Sequence, residues 1–106
     1  MMTTDAVLAL IADEDDVRNY LRGVEAGSET DKDAQRSMLA AIEAMRGGGV
    51  YDAMAKACPY LYAQACLIKC RMWTDCEDGE APKLERQFSA ILLALRYDEK
   101  NVKEVS

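Results

Sequence analysis

CPYLYAQACLIKCRMW, residues 58–73, is the stretch of sequence that decides the fold. Pro59 favours the start of a helix, because its missing N–H would have no partner in the first turn. Two neighbouring stripes then follow at helical spacing: Leu61, Ala65, Ile68 and Met72, and Tyr62, Cys66, Lys69 and Trp73. A helix that is apolar nearly all round is usually surrounded by other helices. We therefore predict a central helix at about 59–73, made of core side chains and without a catalytic residue.

Helical patterns also precede this stretch. Thr3 or Thr4 can cap a first short helix, and Asp13 has the features of a second cap. The apolar positions are Val7, Leu10, Ile11, Val17, Tyr20, Leu21 and Val24. Residues 4–22 therefore form either one bent helix or two, and the pattern leaves both open.

The next predicted helix is capped by Thr30 or Asp31 and ends at the glycine triplet 47–49, because glycine readily adopts the left-handed terminal conformation. Its predicted core face is Ala34, Met38, Ala41, Ile42 and Met45. Residues 51–57 form a short helical turn or an ordered loop before Pro59.

The last helix is predicted to restart at Pro82 and to end at Arg96-Tyr97. Its core face is Leu84, Phe88, Ile91, Leu92 and Leu95. The polar tail 98–106 has only Val102 and Val105 as apolar anchors, and we expect a partner to be needed to order it.

Together these patterns predict an all-α fold: a small bundle of four to five mostly antiparallel helices around the central helix at about 59–73. One domain is expected over 1–97, with a leader at 1–16 that can hold an extra short helix, followed by the tail 98–106. A chain of 106 residues can bury a real core.

No apolar run approaches the roughly 20 residues needed to cross a bilayer, and the N-terminus lacks the form of a secretion signal. A cytoplasmic protein with reduced thiols is expected. The four cysteines, Cys58, Cys66, Cys70 and Cys76, lack the paired spacing of zinc sites, and histidine is absent. Small buried thiols are the better account of them, and we expect no metal or cofactor.

The formal charge of −6 is concentrated near the N-terminus, where residues 1–33 carry nine acids and three bases. A basic nucleic-acid footprint is missing. Asp13, Asp15 and Asp16 belong to the densest cluster. The cluster is either a solvated face with helix-start residues or a surface that meets a basic partner or repels phosphate.

Catalytic groupings are lacking as well. Neither the serines nor the cysteines have a histidine to activate them, so no enzyme is expected. The aromatic residues are more informative, because Tyr51, Trp73 and Tyr97 lie near helix ends, as does Arg71. Such residues either form the centre of a protein–protein interface or close the ends of the bundle.

The order of these features resembles the small head–tail connector (adaptor, or DNA-packaging) proteins of long-tailed double-stranded-DNA bacteriophages and prophages. The resemblance covers residues 17–97 through VRNYLRG (17–23), TDKD (30–33), MLAAIEAM (38–45), PYLYAQACLIKCRMW (59–73) and ALRY (94–97). The leader 1–16 is longer than the family pattern, and 47–57 is glycine-rich and helical where relatives often carry an extended loop.

This resemblance implies a non-enzymatic protomer of a homo-oligomeric ring, typically twelve-fold, between the portal protein and the tail or stopper protein. DNA passes through the ring without sequence-specific binding and no membrane is involved. The protein is expected in the host bacterial cytoplasm during assembly and then in the virion neck. The expected interface residues are Tyr51, Arg71, Trp73, Arg96, Tyr97, Val102 and Val105, and the expected channel-facing acids are Asp13, Asp15 and Asp16.

Two other functions are compatible with the sequence. An acidic helical interaction module that sequesters a basic regulatory partner is the leading alternative. A thiolate-ligated metal protein is the third.

Overall fold

Six helices form the part of the chain that the computed structural model describes, namely residues 3–21, 24–50, 52–74 and 79–105, with side chains up to Arg96. They are α1 (Thr4–Ile11), α2 (Glu14–Tyr20), α3 (Glu29–Gly47), α4 (Ala53–Ala57), α5 (Pro59–Thr74) and α6 (Ala81–Val105). These residues contain no strand. The prediction of a small all-α bundle is confirmed, and the helix count exceeds five because α1, α2 and the short α4 are all separate.

The leader forms two helices. Thr3 caps α1 by accepting a hydrogen bond from the backbone N–H of Ala6. The chain becomes extended at Ala12 and Asp13, and Asp13 and Asp16 then form a capping box in which each carboxylate accepts from the other residue's N–H. This reciprocal capping stabilises a new helix start in place of a bend. Val7 of α1 is fully buried, so the leader belongs to the core.

Helix α3 begins two to three residues earlier than the sequence suggested. Its cap is Ser28, whose hydroxyl accepts from the N–H of Asp31 at 3.1 Å, so the prediction of Thr30 or Asp31 as the cap is wrong. The carboxylate of Asp31 makes other contacts instead. The predicted end of the helix is confirmed, with Gly48 as C-cap and Gly49 at a φ of +87°.

Helix α5 is central, as predicted: it contacts α3, α6, α4 and α1. The predicted core face of α3 is completely buried, and Leu84, Phe88 and Leu95 of α6 are buried as well. The stripes predicted for α5 are only partly correct, because Leu61 is 39% exposed and Trp73 is 49% exposed.

Helix α6 continues to Val105, so the predicted end at Arg96-Tyr97 is wrong. Residues 98–105 are rich in Glu and Lys, which extend a helix readily, and they contain neither glycine nor proline. None of the described helices has both the length and the apolar character required to cross a membrane.

Candidate functional site

A buried carboxylate joins α2, the loop before α3 and α3 itself. Asp31 is only 6% exposed, and it accepts hydrogen bonds from the N–H of Gly27 at 2.9 Å, from Gln35 Nε2 at 3.1 Å and from Arg18 Nη1 at 3.1 Å. These donors lower the pKa of Asp31, the N–H of Gly27 contributing most. The carboxylate is therefore held ionised by groups of the same chain, which suits an anchor and not a proton-transfer group.

Arg18 completes this anchor from α2. Its Nη2 lies 2.5 Å from Oδ1 of Asp15, and its Nη1 lies 3.7 Å from Oε2 of Glu14. The hydrogen bond to Asp15, followed by the one to Asp31, raises the pKa of Arg18. One guanidinium thus compensates three carboxylates, which holds the acidic start of α2 against α3.

A second polar anchor lies at the other end of α3. Arg46 makes a two-pronged contact with Asp52, with Nε at 2.8 Å from Oδ1 and Nη2 at 3.1 Å from Oδ2. Its Nη1 donates to the hydroxyl of Thr4 at 3.0 Å. The hydrogen bond to Asp52 is the largest cause of the raised pKa of Arg46. This planar, bidentate pair connects α3 with the starts of α1 and α4.

The buried thiols and phenol are unsuited to nucleophilic chemistry. Burial raises the pKa of Cys66 to about 12 and that of Cys70 to about 11, and it also raises the pKa of Tyr62. The Sγ of Cys70 lies 3.3 Å from the carbonyl oxygen of Ala34 and donates to it. No group of three metal-binding side chains is found within the described residues, and Cys76 lies outside them.

Three of the predicted interface residues have described side chains. Arg71 Nε lies 3.0 Å from Glu80 Oε1, which ties the end of α5 to the start of α6. Arg96 donates from Nε to the carbonyl oxygen of Gly48 at 2.8 Å, and its Nη2 donates to the same atom. A cation here compensates the unpaired carbonyls at the end of α3. Trp73, by contrast, exposes about half of its surface.

The remaining predicted interface residues are Tyr51, Tyr97, Val102 and Val105. Tyr51 lies outside the described residues, and so do the side chains of the other three, although α6 carries their backbone. Their proposed contacts with a partner stay predictions.

The predicted channel-facing acids are brought together at the start of α2. Asp13 and Asp16 form the capping box, and Asp15 pairs with Arg18. All three acids are exposed. Each of these acids therefore stabilises the start of α2, in addition to contributing negative charge to the surface.

An apolar groove lies beside an exposed aromatic side chain. Tyr60 is 89% exposed at the start of α5, beside a groove of about 430 Å³ between α5 and the α1–α2 pair. The groove is lined by Ile11, Ala12, Asp16, Asn19, Tyr20, Tyr60, Ala63, Gln64 and Leu67. Leu93, on α6, is 69% exposed. The sequence patterns above did not single out Leu93 as a surface residue, although its position off the predicted core face of α6 was a usable signal.

In comparisons with known proteins, no family model, no curated protein and no solved structure matches this chain.

Proposed function

We propose that this chain is a structural virion protein, a head–tail connector whose copies form a ring between portal and tail and let DNA pass through the channel. The observation that carries the proposal is the exposure of Tyr60 and Leu93 in a domain whose buried ionisable groups serve as internal anchors. Contiguous exposed apolar surface marks sites of association, and Tyr60 extends the apolar lining of the groove between α5 and the α1–α2 pair. The order of the motifs along residues 17–97 provides the resemblance to the connector family.

The acidic start of α2 has a role in this proposal. A negative channel wall repels the DNA backbone and keeps it sliding, an effect that salt weakens. Replacing Asp13 and Asp15 by Asn should impair DNA passage while assembly is retained. Asn is as good an N-cap as Asp, so the capping position survives the change. Thermal unfolding of the variant is the control, and unaltered packaging and ejection would contradict this role.

The decisive experiment is electron microscopy in negative stain of the protein mixed with the portal protein of the same phage or prophage. The proposed function predicts rings of this chain stacked on the portal, with the tail or stopper protein binding below. The absence of any binding to the portal, with both proteins folded and at high concentration, refutes it. The proposal places the protein in the host cytoplasm during assembly and later at the capsid vertex.

The exposed acids at the start of α2 favour one second candidate, an interaction module that sequesters a basic regulatory protein. The side chains of Glu14 and Asp15 expose about three-quarters of their surface despite their contacts with Arg18. This candidate predicts a stable one-to-one complex with a basic DNA-binding protein, weakened by salt. Ring formation on the portal favours the connector, whereas a one-to-one complex favours the module.

A further inference from the structure

We propose that one copy of this protein binds the next through two surfaces that complement each other: the α5 groove, formed around Ile11, Tyr20, Tyr60 and Leu67, and the α6 outer face, formed by Lys83, Arg86, Ala90 and Leu93. The occupant of the α5 groove is thus the α6 outer face of a second copy. For its biological meaning, this inference rests on the proposed ring-forming function.

One of the two surfaces is a groove and the other is a ridge. The α5 groove is a concave, mainly apolar surface, and Tyr60 stands at its edge almost fully exposed. On the α6 outer face, Leu93 projects into solvent beside the small side chain of Ala90. Positions 86, 90 and 93 share one side of α6, because they are three and four residues apart. Fitting the ridge of one helix between two others is the usual way in which helical surfaces pack.

The two surfaces carry opposite charges. The lining of the α5 groove includes Asp16 and no basic residue. The α6 outer face carries Lys83 and Arg86, neither of which forms an ion pair with another described residue, whereas Glu85 is paired with Lys69 at 3.4 Å. The carboxylate of Asp16, facing two cations of the next copy, would steer association and set its register.

The two surfaces lie on opposite sides of the protomer. Tyr60 and Lys69 are nine residues apart on α5, and at about 100° per residue they point in opposite directions. Lys69 faces α6, since its Nζ lies 4.4 Å from the centre of the Phe88 ring. Helix α6 therefore packs on the side of α5 away from the groove, and its outer face with Leu93 points further outward.

This arrangement has a consequence for assembly. Different complementary surfaces on opposite sides of one protomer associate head to tail, and such contacts form a ring when the rotation between copies closes. A symmetric dimer, in contrast, would bring one surface against its own copy.

The test uses Tyr60→Glu, which disrupts the α5 groove, and Leu93→Glu, which disrupts the α6 outer face. Both positions are largely exposed, and circular dichroism checks that each variant is folded. In analytical ultracentrifugation, we expect the average mass of the wild type to rise above that of a dimer with increasing concentration. Each variant alone should be monomeric. An equimolar mixture should form a dimer and nothing larger, because one intact groove and one intact face remain.

Leu10→Glu is the matched control: Leu10 is another exposed apolar side chain, at 44%, and it lies on neither surface. This variant should associate like the wild type. Arg86→Gln should weaken association and reduce its dependence on salt.

Several results would overturn the inference. They are a wild type that stays monomeric at every concentration, a single variant that still associates, or a mixture that forms no dimer. If Leu93→Glu abolishes portal binding by a wild-type protein that is monomeric alone, the occupant is the portal and the inference is wrong. Rings of Leu93→Glu on the portal would also refute the interface but leave the connector function intact. Self-association that both variants lose, without portal binding, would support the interface and refute that function.

Discussion

Ile68→Ala tests the assignment of α5 as the centre of the core. Ile68 is 1% exposed, and the substitution removes three carbon atoms from a fully packed site. At about 0.8 kcal/mol per buried methylene, transfer alone gives about 2.4 kcal/mol. The cavity left behind adds to this, so a loss on the order of 3 kcal/mol is expected, within the usual 2–5 kcal/mol for such truncations. A domain of this length has a free energy of unfolding of only about 5–15 kcal/mol.

Urea unfolding followed by far-ultraviolet circular dichroism, at dilute protein concentration, measures this loss. The midpoint of thermal unfolding should fall by on the order of 10–20 °C. The control is Leu93→Ala, which truncates an exposed side chain and should change stability by less than about 0.5 kcal/mol. Leu92 is half-buried, so Leu92→Ala should reduce the free energy of unfolding by an amount between these two.

The reasoning is refuted if Ile68→Ala changes the free energy of unfolding by less than about 0.5 kcal/mol, the usual size for a surface position. A loss for Leu93→Ala as large as that for Ile68→Ala would equally show that the faces of α5 and α6 are misassigned.

Three further predictions concern the polar anchors and the thiols. Asp31→Asn should lower the urea midpoint at neutral pH. The folded pKa of Asp31 lies below its ordinary value of 3.8, so the ionised carboxylate stabilises the fold above that pH. The stability difference between the variant and the wild type should therefore shrink as the pH falls below 3.8. Arg46→Ala should reduce the free energy of unfolding more than Arg36→Ala, because the Arg46 pair is mostly buried and bidentate while the Arg36 pair is exposed. Cys66 and Cys70 should resist alkylation in the folded protein at mildly alkaline pH and react after unfolding, as measured by peptide mass mapping.

Clear results would contradict each of them. A difference between Asp31→Asn and the wild type that stays constant into acid would show that the carboxylate is not stabilised by its donors. If Arg46→Ala and Arg36→Ala reduce the free energy of unfolding equally, the Arg46–Asp52 pair does not anchor the end of α3. Rapid alkylation of Cys66 in the folded state would mean that α5 is not enclosed.

Much of the fold was predictable because helix formation depends on local signals. The core face of α3 follows from spacing alone, since its apolar residues fall on a single stripe and the charged ones lie off it. The glycine stop after α3 and the proline start of α5 depend on the conformational limits of one or two residues. The cap at Ser28 was missed because several residues near it could have served equally well by type.

The candidate site was harder to predict for a related reason. Asp31 has the sequence context of an ordinary helix-start acid, and only the approach of Arg18 from α2 and of the Gly27 N–H from the loop makes it a buried anchor. Likewise, the sequence shows Arg96 only as a charged residue near the end of the last helix. The tertiary structure brings it to the carbonyl of Gly48, which is 48 residues away in the chain.

The sequence by itself determined the approximate positions of α3, α5 and the start of α6, because capping, proline, glycine and apolar spacing act over a few residues. It also determined that α5 is enclosed, because a helix apolar on nearly every side is unstable in water unless others cover it. Only the tertiary structure decided which parts of that surface stay uncovered. An all-round apolar helix has no polar face to orient it, and packing against α3 and α6 left Tyr60 exposed and formed the groove on the opposite side.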